Sequence, residues 1–161
     1  VIMFKNFKTY LWVFLISMVP IIELRGAVPR GVARGLPFWP TYFVCVLGNM
    51  VPVPFILFLV KPILQAMQKI NIKFINKIAT FFLEKGHKAG AKFGDAKYLA
   101  LYAFVAVPMP GTGAWTGTLA ASLLDLDKGK SMIAVLLGVM TAGVIMGIVS
   151  FGVLGAFNLF A

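Results

Sequence analysis

Two ionisable residues, Glu23 and Arg25, interrupt a strongly apolar part of the chain two positions apart. An ionised side chain at bilayer depth costs about 2.5 to 3.5 kcal/mol on insertion scales unless it meets a partner, a water-filled cavity or the interface. A buried glutamate can exchange a proton with either side of a membrane, and an arginine presents a fixed charged fork to an anion. The pair predicts either a coupling and binding site or a structural pair at a turn, with partners expected in the second half of the chain.

Two further arginines, Arg30 and Arg34, follow at a spacing of four and would share one face of a helix. Together with Arg25 they are the only arginines in the sequence. They favour one of two interpretations: a path for an anionic headgroup or cargo, or anchoring at the membrane interface.

A second polar stretch, from Pro108 to Gly117, interrupts the other half of the chain. Backbone N–H groups at the start of a helix there would attract an anion, and threonine hydroxyls would add hydrogen bonds. The alternative is a tight turn whose glycines only allow close approach. The candidate site residues in this stretch are Gly111, Thr112, Gly113, Trp115 and Thr116.

The elements that must position these residues are apolar. The chain of 161 residues is 60% hydrophobic and 12% charged, with a mean hydropathy of +0.93, whereas soluble domains average roughly 25% charged residues. Apolar blocks cover residues 4–22, 41–63, 98–124 and 131–160. Because a spanning helix needs about 20 apolar residues, the composition predicts an all-α integral membrane protein. No small-x-small cleavage site follows the first block, which we interpret as a retained membrane segment.

In the first half, residues 28–36 form a short segment after the Pro20 and Gly26 breaks. As a helix this segment would be about 13 Å long, whereas the hydrocarbon core of a bilayer is about 30 Å thick. Because the segment is too short to cross the core, it predicts a re-entrant hairpin. The next helix carries Pro52 and Pro54, which predict a kink near its middle. Asn49 lies beside that kink, as a site ligand or as an interhelical hydrogen-bonding residue.

The second half, residues 98–161, repeats the order of events in residues 1–66: a broken apolar segment, a polar turn and a long helix. When the two halves are aligned at a shift of about ninety residues, several small or helix-breaking residues fall at matching positions. The pairs are Pro20 with Pro110, Ala27 with Gly117, and Gly48 with Gly138. Paired interrupted segments indicate a transporter site at a repeat interface. The predicted fold is an inverted repeat of a re-entrant helical hairpin plus a transmembrane helix. Four plain spanning helices, with both termini and the connector cytoplasmic, are the alternative.

A basic connector, residues 67–97, joins the halves. Lys69, Lys73 and Lys77 fall on one helical face. An adjoining apolar face comprises Ile70, Phe74, Ile78, Phe81 and Phe82. This pattern is typical of an amphipathic helix in a headgroup layer, and the positive-inside rule predicts a cytoplasmic side. The net charge of +10 therefore indicates anionic lipids rather than nucleic acid as partners.

The sequence contains no motif that indicates enzymatic activity or a metal site. His87 stands alone in a glycine-rich stretch, Cys45 lies in an apolar helix as a packing residue, and no P-loop or nucleophile constellation occurs. We expect no cofactor, no metal site and no enzymatic activity.

Several motifs together resemble one family. They are Glu23-Leu-Arg-Gly-Ala-Val-Pro29, Gly35-Leu-Pro37, Gly48-Asn49, Pro52-Val-Pro-Phe55 and Val107-Pro-Met-Pro-Gly-Thr-Gly-Ala-Trp-Thr-Gly117. Over nearly the whole chain they resemble the putative small multi-drug export protein family of prokaryotic membrane proteins. That family is similar to the DedA superfamily, which implies two re-entrant hairpins, inverted repeats and, in some members, translocation of polyprenyl phosphates or phospholipids. The second hairpin here departs from that pattern because it carries no arginine or acidic residue.

Three functions follow as hypotheses. The first is a multi-pass transporter in the inner membrane of a prokaryote, with proton-coupled export of a small solute past two hairpin tips. The second is a translocase of an anionic lipid, and the third is a membrane scaffold without transport. A tip closed by side chains bonded to one another would favour the scaffold. We also expect a homo-oligomer, because so small a chain has little interior with which to enclose a pathway.

Overall fold

The described part of the protein is all-helical. The computed structural model describes residues 6–69, 72–77, 80–81, 84, 94–109 and 111–160, and within 154–160 only the backbone. The main helices in chain order are α1 (Phe7–Met18), α2 (Glu23–Ala33), α3 (Phe38–Met50), α4 (Pro52–Gln68), α5 (Ala96–Ala106), α6 (Ala114–Leu123) and α7 (Lys128–Phe160). No strand occurs among these residues, and the predicted helical class is confirmed.

The first hairpin consists of α1 and α2, which pack against each other and are joined by residues 19–22. At 1.5 Å per residue they are about 18 and 16 Å long, shorter than a hydrocarbon core of about 30 Å. The short second arm begins at Glu23, earlier than the predicted residue 28, and it continues through Pro29. Proline there removes one backbone donor without ending the helix.

The second hairpin consists of α5 and α6, of 11 and 10 residues, joined by residues 107–113. The break falls where the prolines and glycines from Pro108 to Gly113 predicted it, although Pro110 itself lies outside the described residues. The apolar block 98–124 therefore forms two short helices rather than one continuous helix.

The two long apolar helices follow the hairpins. α3 and α4 form a stretch of 31 residues, Phe38–Gln68, and α7 contributes Lys128–Val153; both are long and apolar enough to cross a membrane. α3 and α4 meet at Val51, whose φ of −57° and ψ of −49° remain helical. The predicted interruption thus lies at Val51, with Pro52 as the first residue of α4.

The halves interlock through the second arms of the hairpins. α2 packs on α3 and on α7, while α6 packs chiefly on α4 and also on α7. Each second arm therefore contacts the long helix of the other half, and this brings the two hairpin tips together. The interior is closed by small and branched side chains such as Val13, Val28, Val53, Val105 and Val135, all at most 1% exposed.

The basic connector is described only in part. Lys69, Lys73 and Lys77 are exposed, as is Phe74. Ile70, Ile78, Phe82 and His87 lie outside the described residues. The amphipathic connector, its cytoplasmic side and the inverted arrangement of the halves stay predictions.

Candidate functional site

Glu23, in the first hairpin, caps the N-terminus of α6 in the second hairpin. Glu23 is buried, with 4% of the residue exposed. Oε2 accepts a hydrogen bond from the N–H of Ala114 at 3.1 Å, and Oε1 accepts one from the N–H of Trp115 at 3.0 Å. These are the first two residues of α6, whose N–H groups have no partner within the helix. The carboxylate also lies at the positive end of the α6 dipole, which stabilises its negative charge.

Arg25, also in the first hairpin, caps the C-terminus of α5 in the second hairpin. Its Nη2 donates to the carbonyl of Val105 at 2.9 Å, in the last turn of that helix. Its Nη1 donates to the carbonyls of Met109 and Thr112, both at 2.7 Å, and lies 2.8 Å from Oγ1 of Thr112. The guanidinium therefore satisfies carbonyls left open by the break and places a positive charge at the negative end of the α5 dipole.

Two glycines shape the loop between α5 and α6. Gly113 has a φ of +139° and a ψ of −173°, a conformation essentially confined to glycine, and a Cβ there would overlap the carboxylate of Glu23. Gly111 has a φ of +83° with open space around it. The absence of a side chain at Gly113 is thus what allows Glu23 to reach α6.

Trp115, in the second hairpin, contacts the first hairpin. Its Nε1 donates to the carbonyl of Met18 at 3.0 Å, at the last residue of α1. Thr112 Oγ1 lies 2.9 Å from the carbonyl oxygens of Val107 and Met109, while Thr116 Oγ1 is 3.5 Å from that of Gly113. The second hairpin therefore provides polar groups both to its own loop and to the first hairpin.

A cavity of about 510 Å³ lies between the two tips. The predicted site residues that line it are Glu23, Arg25, Arg30, Gly111, Thr112, Trp115 and Thr116. Sequence reasoning missed its apolar walls, which include Ile21, Ile22, Met109 and Met146. The position of Ile21 directly after Pro20 at the break is a signal that could have found it, whereas Met146 carries no such signal.

Arg30, Arg34 and Asn49 occupy three different environments. Arg30 lines the cavity and donates to the carbonyl of Gly26 at 3.1 Å. The guanidinium carbon of Arg34 lies 3.4 Å from the ring centroid of Trp12, and Arg34 is not among the cavity-lining residues. Asn49 is 2% exposed, and its Oδ1 has no hydrogen-bond partner in the described part of the chain. The structure does not bring Arg34 or Asn49 to the cavity wall.

The chain is similar to one described protein family. The sequence matches the family described as "Putative small multi-drug export protein" over residues 23–145, about three quarters of the chain, from the first residue of α2 into α7. The chain belongs to this family. No curated protein and no solved structure matches it. The family is named for export rather than for an enzymatic reaction, and together with the two long apolar helices it is consistent with a helical membrane protein.

Proposed function

We propose that the protein is a proton-coupled membrane exporter whose substrate site is the cavity between the two hairpin tips. The observation that carries the proposal is the position of this cavity, which is bounded by the broken ends of short helices from both halves. Interrupted helices that meet between internal repeats are the usual construction of a transporter site. The assignment to an export family supports the same function.

The proposal includes two re-entrant hairpins that enter the membrane from opposite faces. The short hairpin helices support it, because none of them reaches the length of a bilayer core. Equivalent packing of two glycines also supports a repeat. A Cβ at Gly48 would lie 2.5 Å from the carbonyl oxygen of Phe14 in α1, and one at Gly138 would lie 3.0 Å from that of Tyr102 in α5. Each glycine thus lets a long helix approach the first arm of its own hairpin.

Glu23 is the proposed coupling residue. It is the acidic side chain among the residues that line the cavity, and its carboxylate joins the two tips through two backbone N–H groups of α6. Protonation removes the charge that these donors and the helix dipole stabilise. The junction between the tips is then weaker, so uptake and release of a proton can be linked to opening of the cavity.

Lipid translocation is the second candidate. The observation that favours it is the apolar character of much of the cavity wall, where Ile21, Ile22, Met109 and Met146 contribute. A scaffold without transport is the third candidate, and it is favoured by the hydrogen bonds that join Glu23 and Arg25 to the opposite hairpin. The cavity beside these paired residues supports transport over a scaffold.

The proposal is tested in proteoliposomes that enclose a pH-sensitive dye. Probes of matched size, namely benzenesulfonate, phenyltrimethylammonium and the neutral methyl phenyl sulfone, are added in turn under an imposed pH gradient. Wild-type protein should couple proton movement to movement of at least one probe. Glu23→Gln should lose the coupling while eluting from size-exclusion chromatography as wild type does. Retained coupling in Glu23→Gln would contradict the role of Glu23. A fluorescent phospholipid in the vesicle membrane tests lipid movement, and wild type that moves neither this lipid nor any probe would leave only the scaffold.

A further inference from the structure

We infer that the cavity binds a singly charged, amphipathic organic anion, and that Arg30 is the residue that holds its charge. This inference rests on the proposed function, because it names the class of substrate for the same cavity. It assigns anion binding to Arg30 instead of Arg25.

The charges that line the cavity do not cancel. They belong to Glu23, Arg25 and Arg30, which give a formal charge of +1 at neutral pH. Glu23 is held by two backbone donors, and Arg25 is surrounded by three carbonyl oxygens and a hydroxyl of the other hairpin. Both are therefore engaged in joining the tips. The uncompensated positive charge belongs to Arg30.

The contacts of Arg30 leave most of its guanidinium available. Among the described residues it makes a single hydrogen bond, from Nη1 to the carbonyl of Gly26 one turn earlier, and its side chain is exposed. A guanidinium carries five N–H donors in a planar fork that matches a carboxylate, sulfonate or phosphate. Arg34, four residues later, is instead stacked on Trp12. The two arginines are equivalent in the sequence pattern, but in the structure they have different contacts.

The remainder of the ligand is expected to be apolar. Ile21, a residue that is 97% exposed, lines the cavity. Its φ of +79° is unfavourable for a β-branched residue. Backbone strain of this kind is concentrated at ligand sites. Met109 and Met146 also line the cavity, and methionine side chains adapt to ligands of differing shape. A charged group on Arg30 would therefore leave its organic part against these three side chains.

The size of the cavity agrees with such a ligand. At about 510 Å³ it falls within the range of roughly 300 to 1,000 Å³ of small-molecule sites. One anionic group with an apolar attachment is shared by water-soluble organic anions and by the headgroup region of an anionic lipid. The experiment therefore includes both sources.

Binding is measured first, by calorimetry on the full chain in neutral detergent with benzenesulfonate as the probe. Wild type should bind it, and Arg30→Gln should weaken binding about tenfold or more, as expected for loss of a hydrogen bond to a charged group. Arg30→Lys should lie between the two, because it keeps the charge and loses the fork. Lys8→Gln is the control, since it removes one positive charge from an exposed position of α1 that does not line the cavity.

Transport of the same probes, and of fluorescent phosphatidylglycerol in vesicles assayed by dithionite quenching, then distinguishes the sources. Loss of benzenesulfonate movement in Arg30→Gln supports a soluble anion, and loss of phosphatidylglycerol movement supports a lipid. Wild type that binds benzenesulfonate but moves none of the three probes and no phosphatidylglycerol keeps the anion site and overturns the transporter. Wild type that moves phenyltrimethylammonium in preference to both anions keeps the transporter and overturns the anion site. Equal benzenesulfonate binding by Arg30→Gln and Lys8→Gln also overturns it.

Discussion

Arg25 and Trp115 each donate hydrogen bonds to the carbonyl end of the first helix of the opposite hairpin. Arg25 Nη2 lies 2.9 Å from the carbonyl oxygen of Val105 near the end of α5, and Trp115 Nε1 lies 3.0 Å from that of Met18 at the end of α1. The two residues are separated by the same shift of about ninety that relates Gly48 to Gly138. A cation and an indole thus perform the same task at corresponding positions of the two halves.

These hydrogen bonds satisfy backbone groups that the helix breaks leave without partners inside their own helices. Unsatisfied backbone groups cost several kcal/mol each at bilayer depth, by the general penalty for burying polar groups without partners. Here the carbonyl ends of α1 and α5 and the N–H end of α6 all find donors or acceptors on the opposite hairpin. Each tip is therefore the capping group of the other, and we expect the two hairpins to unfold together.

Loss of the indole N–H should weaken this junction. Trp115→Phe keeps an aromatic ring but leaves the carbonyl of Met18 without its donor. We expect a loss of stability of about 1 kcal/mol, which is typical of one hydrogen bond. Unfolding by sodium dodecyl sulfate in mixed micelles measures it. Trp12→Phe is the control, because Trp12 contacts Arg34 at a different place; equal stabilities of Trp115→Phe and wild type would contradict the capping role.

Gly113→Ala should be more damaging than Gly111→Ala. Both glycines have positive φ, so both substitutions introduce strain, about 1 to 2 kcal/mol at Gly111. At Gly113 the new Cβ would also displace the Glu23 carboxylate from its two donors, and the combined loss should be about 2 to 4 kcal/mol. The same micelle titration compares the two variants.

A double-mutant cycle separates the two contributions at Gly113. In a Glu23→Ala background the overlapping carboxylate is gone, so Gly113→Ala should cost only its backbone strain. An undiminished cost in that background would show that the contact with Glu23 is unimportant.

Local features of the sequence predicted where the helices break, but not what closes the breaks. Pro20 and the stretch from Pro108 to Gly113 end helices through their own backbone chemistry, which acts over a few residues and can be read from the sequence. The contacts of Glu23 with Ala114 and Trp115 join residues about ninety positions apart, and they depend on how the second arms pack on the long helices. The sequence pattern could therefore nominate Glu23 without naming its donors. It could not distinguish Arg30 from Arg34 either, because that difference arises from the neighbouring Trp12.

The glycines of the long helices should differ according to what they contact. A Cβ at Gly138 would meet the Cβ of Val105 at 2.7 Å and the backbone of α5, and one at Gly48 would meet the backbone of α1. Gly48→Ala and Gly138→Ala should each destabilise the protein by about 1 to 3 kcal/mol through overpacking. Gly152→Ala is the matched control. It meets nothing within 4 Å, and it should be neutral or stabilising by up to about 1 kcal/mol because alanine favours the helix. Equal effects at Gly138 and Gly152 would contradict the close contact of α7 with α5.

Single cysteines should reveal whether the hairpins enter from opposite faces. The native Cys45 is the only cysteine in the sequence and is fully buried, so it should react little with a membrane-impermeant maleimide. Ala33→Cys, at the exposed end of α2, and Gly129→Cys, in the exposed first turn of α7, add reactive sites at the base of each hairpin. With two re-entrant hairpins and one crossing between them, the two positions label from opposite sides of sealed vesicles. With four plain crossings, both positions lie in loops on the same side, and labelling of both from one face would refute the inverted arrangement.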